Sequence, residues 1–237
     1  MNILYLHTHD TGRYIQPYGH AVSTPNLMKL AHEGTLFRKA YCAAPTCSPS
    51  RAGLLTGMSP HSCGMLGLAH RGFQLHDYHQ HLACFLGDHG YETVLCGVQH
   101  EAPNPDMIGY RQNITVKRRG TYTEMDESNS QAAADYLLNP HGDPFFLSMG
   151  LNHTHRKFPE TDPLINPDYV MPPFPMYDTP GCREDMAAFM SSVMIADRCY
   201  GRVLEALRQS GHDKNTLVIL TTDHGIAFPH MKCNLYD

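Results

Sequence analysis

Four apolar runs, each broken by a short polar cluster, constrain what this chain can fold into. Residues 3–6 lead into His7-Thr8-His9-Asp10-Thr11-Gly12, and residues 92–96 into Gly97-Val98-Gln99-His100. Residues 145–149 lead into Asn152-His153-Thr154-His155, and residues 216–220 into Thr221-Thr222-Asp223-His224-Gly225. Short runs rich in aliphatic and β-branched residues read as strands. The run at 216–220 has the near-continuous apolar pattern of a strand buried on both faces.

Helical patterns separate these runs. Thr24 is expected to cap a helix with Pro25 in its first position; Leu27, Leu30 and Ala31 share one face, and Gly34 ends it. Leu82, Phe85 and Leu86 mark a second helix stopped around Gly90, and residues 127–138 a third. Residues 186–207 form the longest periodic segment, with Met190, Val193, Met194, Asp197, Val203, Leu204 and Leu207 on its packed side and Gly211 beyond it. Residues 37–44 read as extended and 45–51 as a turn, after which Ala52, Leu54 and Leu55 open a short helix ending near Gly57. Residues 101–123 and the proline-rich 159–182 read as loops. Alternating strands and helices imply the α/β class, here a three-layer α/β/α sandwich with a mostly parallel mixed sheet. Such sheets bind ligands at the carboxyl ends of their strands. All four polar clusters fall there, so one composite site is expected.

The 237 residues suffice for one sizeable core with room for a small second unit. A formal net charge of -5, with no basic stripe, offers nucleic acid and anionic membrane no general attraction. The eight cysteines match no zinc knuckle or CxxC spacing, so free thiols are expected, although two pairs could close in an oxidising compartment. No basic leader precedes the first strand and no window is long and apolar enough for a membrane span. A cytoplasmic chain is expected as given, or a periplasmic or secreted one if a leader has been removed.

The clusters permit specific chemistry. Asp10 and Asp223 supply hard oxygen ligands for a divalent cation, with His9 and His224 as imidazole neighbours. Cys47 lies between Pro45 and Pro49, with Arg51 close behind. A turn entering a helix presents free N–H groups to an anion, and a guanidinium suits an oxyanion. Thiol hydrolysis and phosphate chemistry are both compatible with this arrangement. His100 and His155 are candidates for acid, base or oxyanion donor, with His153 competing for the second role. Lys232, seven residues after Gly225, is placed to reach the same pocket.

The stretch Cys47-Ser48-Pro49-Ser50-Arg51-Ala52-Gly53-Leu54-Leu55-Thr56-Gly57 resembles the sulfatase signature. Thr24-Pro25-Asn26-Leu27 with Glu33-Gly34, and Thr222-Asp223-His224-Gly225, resemble the family's preceding segment and late metal motif. The resemblance covers essentially the whole chain, and Cys63-Gly64-Met65 is similar to the heparan N-sulfatase branch. It implies an alkaline-phosphatase-like fold and hydrolysis of sulfate esters or N-sulfates on small molecules or carbohydrates. It implies one divalent cation, Ca2+ first with Mg2+ or Mn2+ as alternatives, held by Asp10, Asp223 and His224, with His9 where the family has an aspartate. It further implies that a maturation enzyme converts Cys47 to formylglycine. The hydrated aldehyde then attacks sulfur through one hydroxyl, the alcohol leaves, and the other hydroxyl expels sulfate and restores the aldehyde. Arg51, His100, His155 and Lys232 match residues that hold the formylglycine network, contact sulfate or donate a proton.

Two departures stand against this pattern. Val98 occupies the place of a lysine that contacts sulfate, and losing a charged hydrogen bond costs roughly 1.5–3 kcal/mol. The family also continues into a smaller C-terminal domain with an antiparallel sheet, so residues 1–237 read as an incomplete N-terminal catalytic domain. Exposed strand edges and apolar helix faces are then expected. A phosphoester or phosphonate monoester hydrolase, and a non-catalytic scaffold for sulfated glycans, are the alternatives. A homo-oligomer is compatible with the sequence.

Overall fold

A computed structural model describes residues 1–142 and 144–234. In chain order the elements are β1 (Asn2–Thr8), α1 (Pro25–Glu33), α2 (Cys47–Thr56), α3 (Pro60–Cys63), α4 (Leu82–Asp88), β2 (Glu92–Gly97), β3 (Gln112–Asn113), α5 (Tyr122–Leu138), β4 (Phe145–Gly150), α6 (Pro180–Gln209) and β5 (Thr216–Thr222). The strands form one sheet in the order β3-β2-β4-β1-β5. Every pairing is parallel, so all carboxyl ends lie on one edge. The register places His7 opposite both Gly150 and Thr221, and Thr8 opposite Thr222, which brings the polar clusters level.

Side-chain alternation makes the layers. Leu4 and Leu6 of β1, Val94 and Cys96 of β2, and Phe145, Leu147 and Met149 of β4 pack with α1, α5 and α6 on one face. Tyr5 and Phe146 point the other way, against Leu55 of α2 and Ala83 and Leu86 of α4. Each such fully buried side chain contributes roughly 1.5–3 kcal/mol. The result is the α/β/α sandwich. Helix α6 runs for 30 residues, or roughly 45 Å.

Several expectations are corrected. The segment 45–51 is not a turn throughout: α2 already begins at Cys47. Pro49 sits in the first helical turn, where its missing N–H costs nothing. Strand β5 is not buried on both faces. Among the described residues it is the sheet's edge, with Leu217 and Ile219 exposed, 45% and 39%. Residues 37–44 form no strand. Residues 101–123 contain a 3-10 turn at Pro105–Ile108 and the short edge strand β3. Helix α5 starts earlier than expected, at a capping box in which Thr121 and Glu124 bond each other's backbone N–H. Thr24 does not cap α1. Its hydroxyl accepts from Gln16 N at 3.1 Å, and Asp197 of α6 takes over, its two oxygens accepting from Leu27 N (2.9 Å) and Asn26 N (3.3 Å). All eight cysteines are unpaired. No helix of the described residues is long and apolar enough to cross a membrane.

Candidate active site

The expected composite site forms where β1 and β5 end side by side. The chain after β1 turns sharply at Asp10, whose φ of 59° is unusual for a residue with a Cβ. That turn lets Asp10 N donate to Asp223 Oδ1 at 2.8 Å, and His224 N donates to the same oxygen at 2.9 Å. Gly12 follows with φ 54°, and a Cβ there would lie 3.2 Å from Gly225 Cα. This close approach lets Gly12 N donate to His224 O at 3.0 Å.

The spacing of Cys47 and Arg51 acquires a meaning from the helix. Four residues apart in α2, they share one face, which is turned toward the β1 and β5 ends. Cys47 Sγ lies 3.4 Å from His224 Nε2 and 3.9 Å from His9 Nδ1. Arg51, fully buried, donates to Asp223 Oδ2 (3.0 Å), Thr8 O (3.1 Å) and His7 Nδ1 (2.5 Å). Because His7 accepts at Nδ1, its Nε2–H donates, and Ser148 Oγ lies 3.3 Å away. Ser50 Oγ donates to Asp223 O, and Ser48 Oγ accepts from Ala69 N at 3.0 Å, so the hydroxyls of α2 tie it to both flanking loops.

Around this centre, His9 Nε2 lies 3.1 Å from His100 Nδ1, and the His9 and His155 rings meet edge to face at 4.6 Å. His100 also has an unusual φ, 74°. Lys232 Nζ donates to Asp10 Oδ2 at 2.5 Å, and His155 Nε2 approaches the same oxygen at 4.0 Å. Nine of the residues singled out from the sequence for this site are thus brought to it: His9, Asp10, Cys47, Arg51, His100, His155, Asp223, His224 and Lys232. His153 is not. Its ring and N–H are held by Asp126 of α5, with Nδ1 to Oδ2 at 2.5 Å, facing away from the carboxylate pair.

The electrostatics follow from burial beside opposite charges. Burial favours the neutral form of Asp223, but Arg51, His9 and His224 outweigh it and hold the carboxyl well below the usual range. Burial pushes the Cys47 thiol up to about 12, reinforced by Asp223. Burial drives His100 down to about 3, with His9 and Arg51 adding to it. Burial opposes the charge of Lys232, yet Asp10 raises it overall.

The donor set suits a cation. His9, Asp10, Cys47 and Asp223 offer ligand atoms within 4.8 Å of one another, and His224 Nε2 lies 3.2 Å from Asp10 Oδ1. Two buried carboxylates this close repel unless positive charge lies between or beside them, so the residues present fit a divalent ion.

Sequence reading missed several contributors. Glu101, 1% exposed, lies near Arg51 with both carboxylate oxygens lacking hydrogen-bond partners among the described residues; Arg51 Nε is likewise unpartnered. Burial, against the pull of Arg51, raises its carboxyl to about 8. Asp126 was hidden inside an amphipathic helix. The Arg156–Asp185 ion pair, which ties the loop after His155 to α6, carried no local signal.

A profile of the sulfatase family matches residues 1–235. The chain belongs to the sulfatase family. Human N-sulphoglucosamine sulphohydrolase is 31% identical across 99% of this chain, which corresponds to 52% of that protein. A 2-O GAG sulfatase structure superposes with a TM-score of 0.76 at 20% identity, covering all of this chain and 61% of that one. A phosphonate monoester hydrolase of Agrobacterium radiobacter superposes at 0.69 with 19% identity, covering 94% of this chain and 62% of that one. The chain spans about half the length of the curated sulfatases it matches. The stretch that resembles the sulfatase signature forms α2 and the Gly57 that follows it, and the Thr222-Asp223-His224-Gly225 stretch spans the last residue of β5 and the loop after it.

Proposed function

We propose that this chain carries the catalytic centre of a sulfatase that cleaves sulfate from a sulfated carbohydrate, as an ester or an N-sulfate. The observation that carries the reading is the placement of Cys47 Sγ, 3.4 Å from His224 Nε2, at the buried start of α2 and beside two converging carboxylates. Asp10, Asp223 and His224, with His9, would hold one divalent cation, Ca2+ by family resemblance, which supplies charge to the sulfate oxygens and to the nucleophile. Formylglycine made from Cys47 would supply that nucleophile. Burial and Asp223 push the Cys47 thiol toward its neutral form, and its place at the start of the signature-like helix supports a precursor role.

The chain's own residues then have distinct parts. Arg51 fixes Asp223 and the position of the Cys47 turn. Lys232 and the neutral His100 face the space where sulfate oxygens would lie, as donors to developing negative charge. His155, whose Nδ1–H donates to Arg156 O, presents Nε2 on the open side (the side chain is 36% exposed) and is placed to protonate the leaving oxygen or nitrogen. The human relative's name, an N-sulphoglucosamine sulphohydrolase, supports an amino-sugar substrate.

The phosphonate monoester hydrolase likeness favours one second reading, a phosphonate or phosphate ester substrate on the same site. Peptide mass around residue 47 tests maturation, with a loss of about 18 Da expected for formylglycine. Matured protein is then assayed on aryl sulfate, N-sulfoglucosamine, aryl phosphate and phenyl phosphonate monoester. Sulfate or N-sulfate turnover supports the proposal; faster phosphorus-ester turnover overturns it in favour of the second reading.

A further inference from the structure

Four donor atoms line the cation site proposed above, two carboxylate oxygens and two imidazole nitrogens. They close into a ring: His9 Nδ1 to Asp10 Oδ1 is 2.9 Å, Asp10 Oδ1 to His224 Nε2 is 3.2 Å, His224 Nε2 to Asp223 Oδ2 is 3.6 Å, and Asp223 Oδ2 back to His9 Nδ1 is 3.2 Å. The outer oxygens are already committed. Asp10 Oδ2 accepts from Lys232, and Asp223 Oδ1 accepts from two backbone N–H groups.

The hydrogen bonds behind the imidazoles decide what faces inward. His224 Nδ1–H donates to Gly225 O at 2.9 Å, so a neutral ring turns the Nε2 lone pair toward the two carboxylates. Metal-binding histidines are commonly held in this way by a carbonyl on their other nitrogen. With His9 Nε2–H donating to His100 Nδ1 at 3.1 Å, the Nδ1 lone pair of His9 is left for the same space; with the opposite tautomer Nδ1–H donates to Asp10 instead. Lone pairs aimed at carboxylates repel unless a cation sits among them.

Which cation follows from the donors. Calcium and magnesium take oxygen ligands, and calcium needs six to eight of them at about 2.3–2.6 Å. Imidazole favours zinc and its first-row neighbours, which bind nitrogen and carboxylate oxygen at about 2.0–2.2 Å. Tetrahedral neighbours around bonds of about 2.0–2.1 Å lie roughly 3.3–3.4 Å apart, close to the ring edges above. Six-coordinate neighbours around calcium-length bonds would lie roughly 3.3–3.7 Å apart, so the ring edges alone admit either ion and the two imidazole nitrogens decide.

We propose that this centre selects a zinc-class divalent ion over calcium, with His9, in the place of a family aspartate, as the residue that sets the choice. The inference rests on the metal-dependent reading above and revises the ion that resemblance implies. It assigns His9 as an inner ligand and His100 as the group that orients it.

The test uses the whole chain, stripped with chelator, and measures Zn2+, Mn2+ and Ca2+ binding by calorimetry and competition. Wild type and His9→Asp are compared, each also in a Cys47→Ala background so that no thiolate contributes. Because almost any nitrogen-and-oxygen site binds zinc tightly, the deciding quantity is the ratio of Zn2+ to Ca2+ affinity. His9→Asp is expected to lower that ratio at least about a hundredfold, weakening Zn2+ and strengthening Ca2+. Should His9→Asp fail to fold, electron paramagnetic resonance of Cu2+-loaded wild type in the Cys47→Ala background gives an independent answer. Nitrogen couplings from two imidazoles support the proposal, and an all-oxygen spectrum overturns it. A ratio that His9→Asp leaves within a factor of about three overturns the selectivity inference alone. Failure of all three ions to bind overturns it together with the metal-dependent reading.

Discussion

Replacing Glu101 by Gln should remove a pH-dependent cost that is built into the floor of the site. The carboxyl is 1% exposed, and burial raises it from the ordinary 4.5 to about 8. An unfolded chain releases this proton near 4.5, whereas the folded chain keeps it until about 8. The folded state therefore binds more protons across that window, and stability falls as pH rises through it. At about 1.4 kcal/mol per pH unit over roughly 3.5 units, the full loss is about 5 kcal/mol by pH 8 and above. Gln has nearly the shape of the protonated acid and does not titrate. Urea unfolding of wild type and Glu101→Gln should agree within about 1 kcal/mol at pH 5 and diverge toward pH 8.5, with the variant the more stable. A difference that stays constant across the range, or that favours wild type at high pH, would refute the reasoning. It would mean that Arg51 holds Glu101 ionised in the folded protein.

Other expectations follow from the same contacts. Cys47→Ala should keep the thermal transition of the parent while lowering turnover by at least roughly 10³-fold; near-normal turnover would exclude residue 47 as the nucleophile's source. Asp223→Asn removes the charge opposite Arg51 and should abolish stoichiometric cation binding and most turnover, read by metal analysis after dialysis and by initial rates. Asp126→Asn leaves the Asn152 and His153 N–H groups with a weaker acceptor and should destabilise the chain by roughly 3 kcal/mol in denaturant unfolding. Thr121→Ala breaks the capping box of α5 and should cost about 1 kcal/mol in the same assay.

Much of the sheet and of the site could be read from the chain because each rests on local pattern. The runs before Asp10 and Asp223 are short, aliphatic and abruptly ended, and parallel α/β order alone brings such ends to one edge. The misreadings share a different cause. The prolines at 45 and 49 suggest a turn, yet a first helical turn tolerates proline, and only the bonds of Ser50 and Arg51 to the β5 end show that a helix begins there. The run at 216–220 looks the same whether one neighbouring strand or two flank it. Glu101 and Asp126 were invisible because a buried acid is explained only by partners or an enclosure far away in sequence. His9 was legible as a candidate, but its role depends on His100, 91 residues later.

Asp197 also bears on how the chain acquires its structure. The N–H groups that open α1 are satisfied by a carboxylate 170 and 171 residues downstream. During synthesis the segment 25–33 leaves the ribosome long before that partner exists, and a nine-residue helix is marginal in water by itself. An excised peptide of this region should therefore be largely unstructured. Its helix would be a late acquisition, arriving only when the thirty-residue helix that carries Asp197 docks.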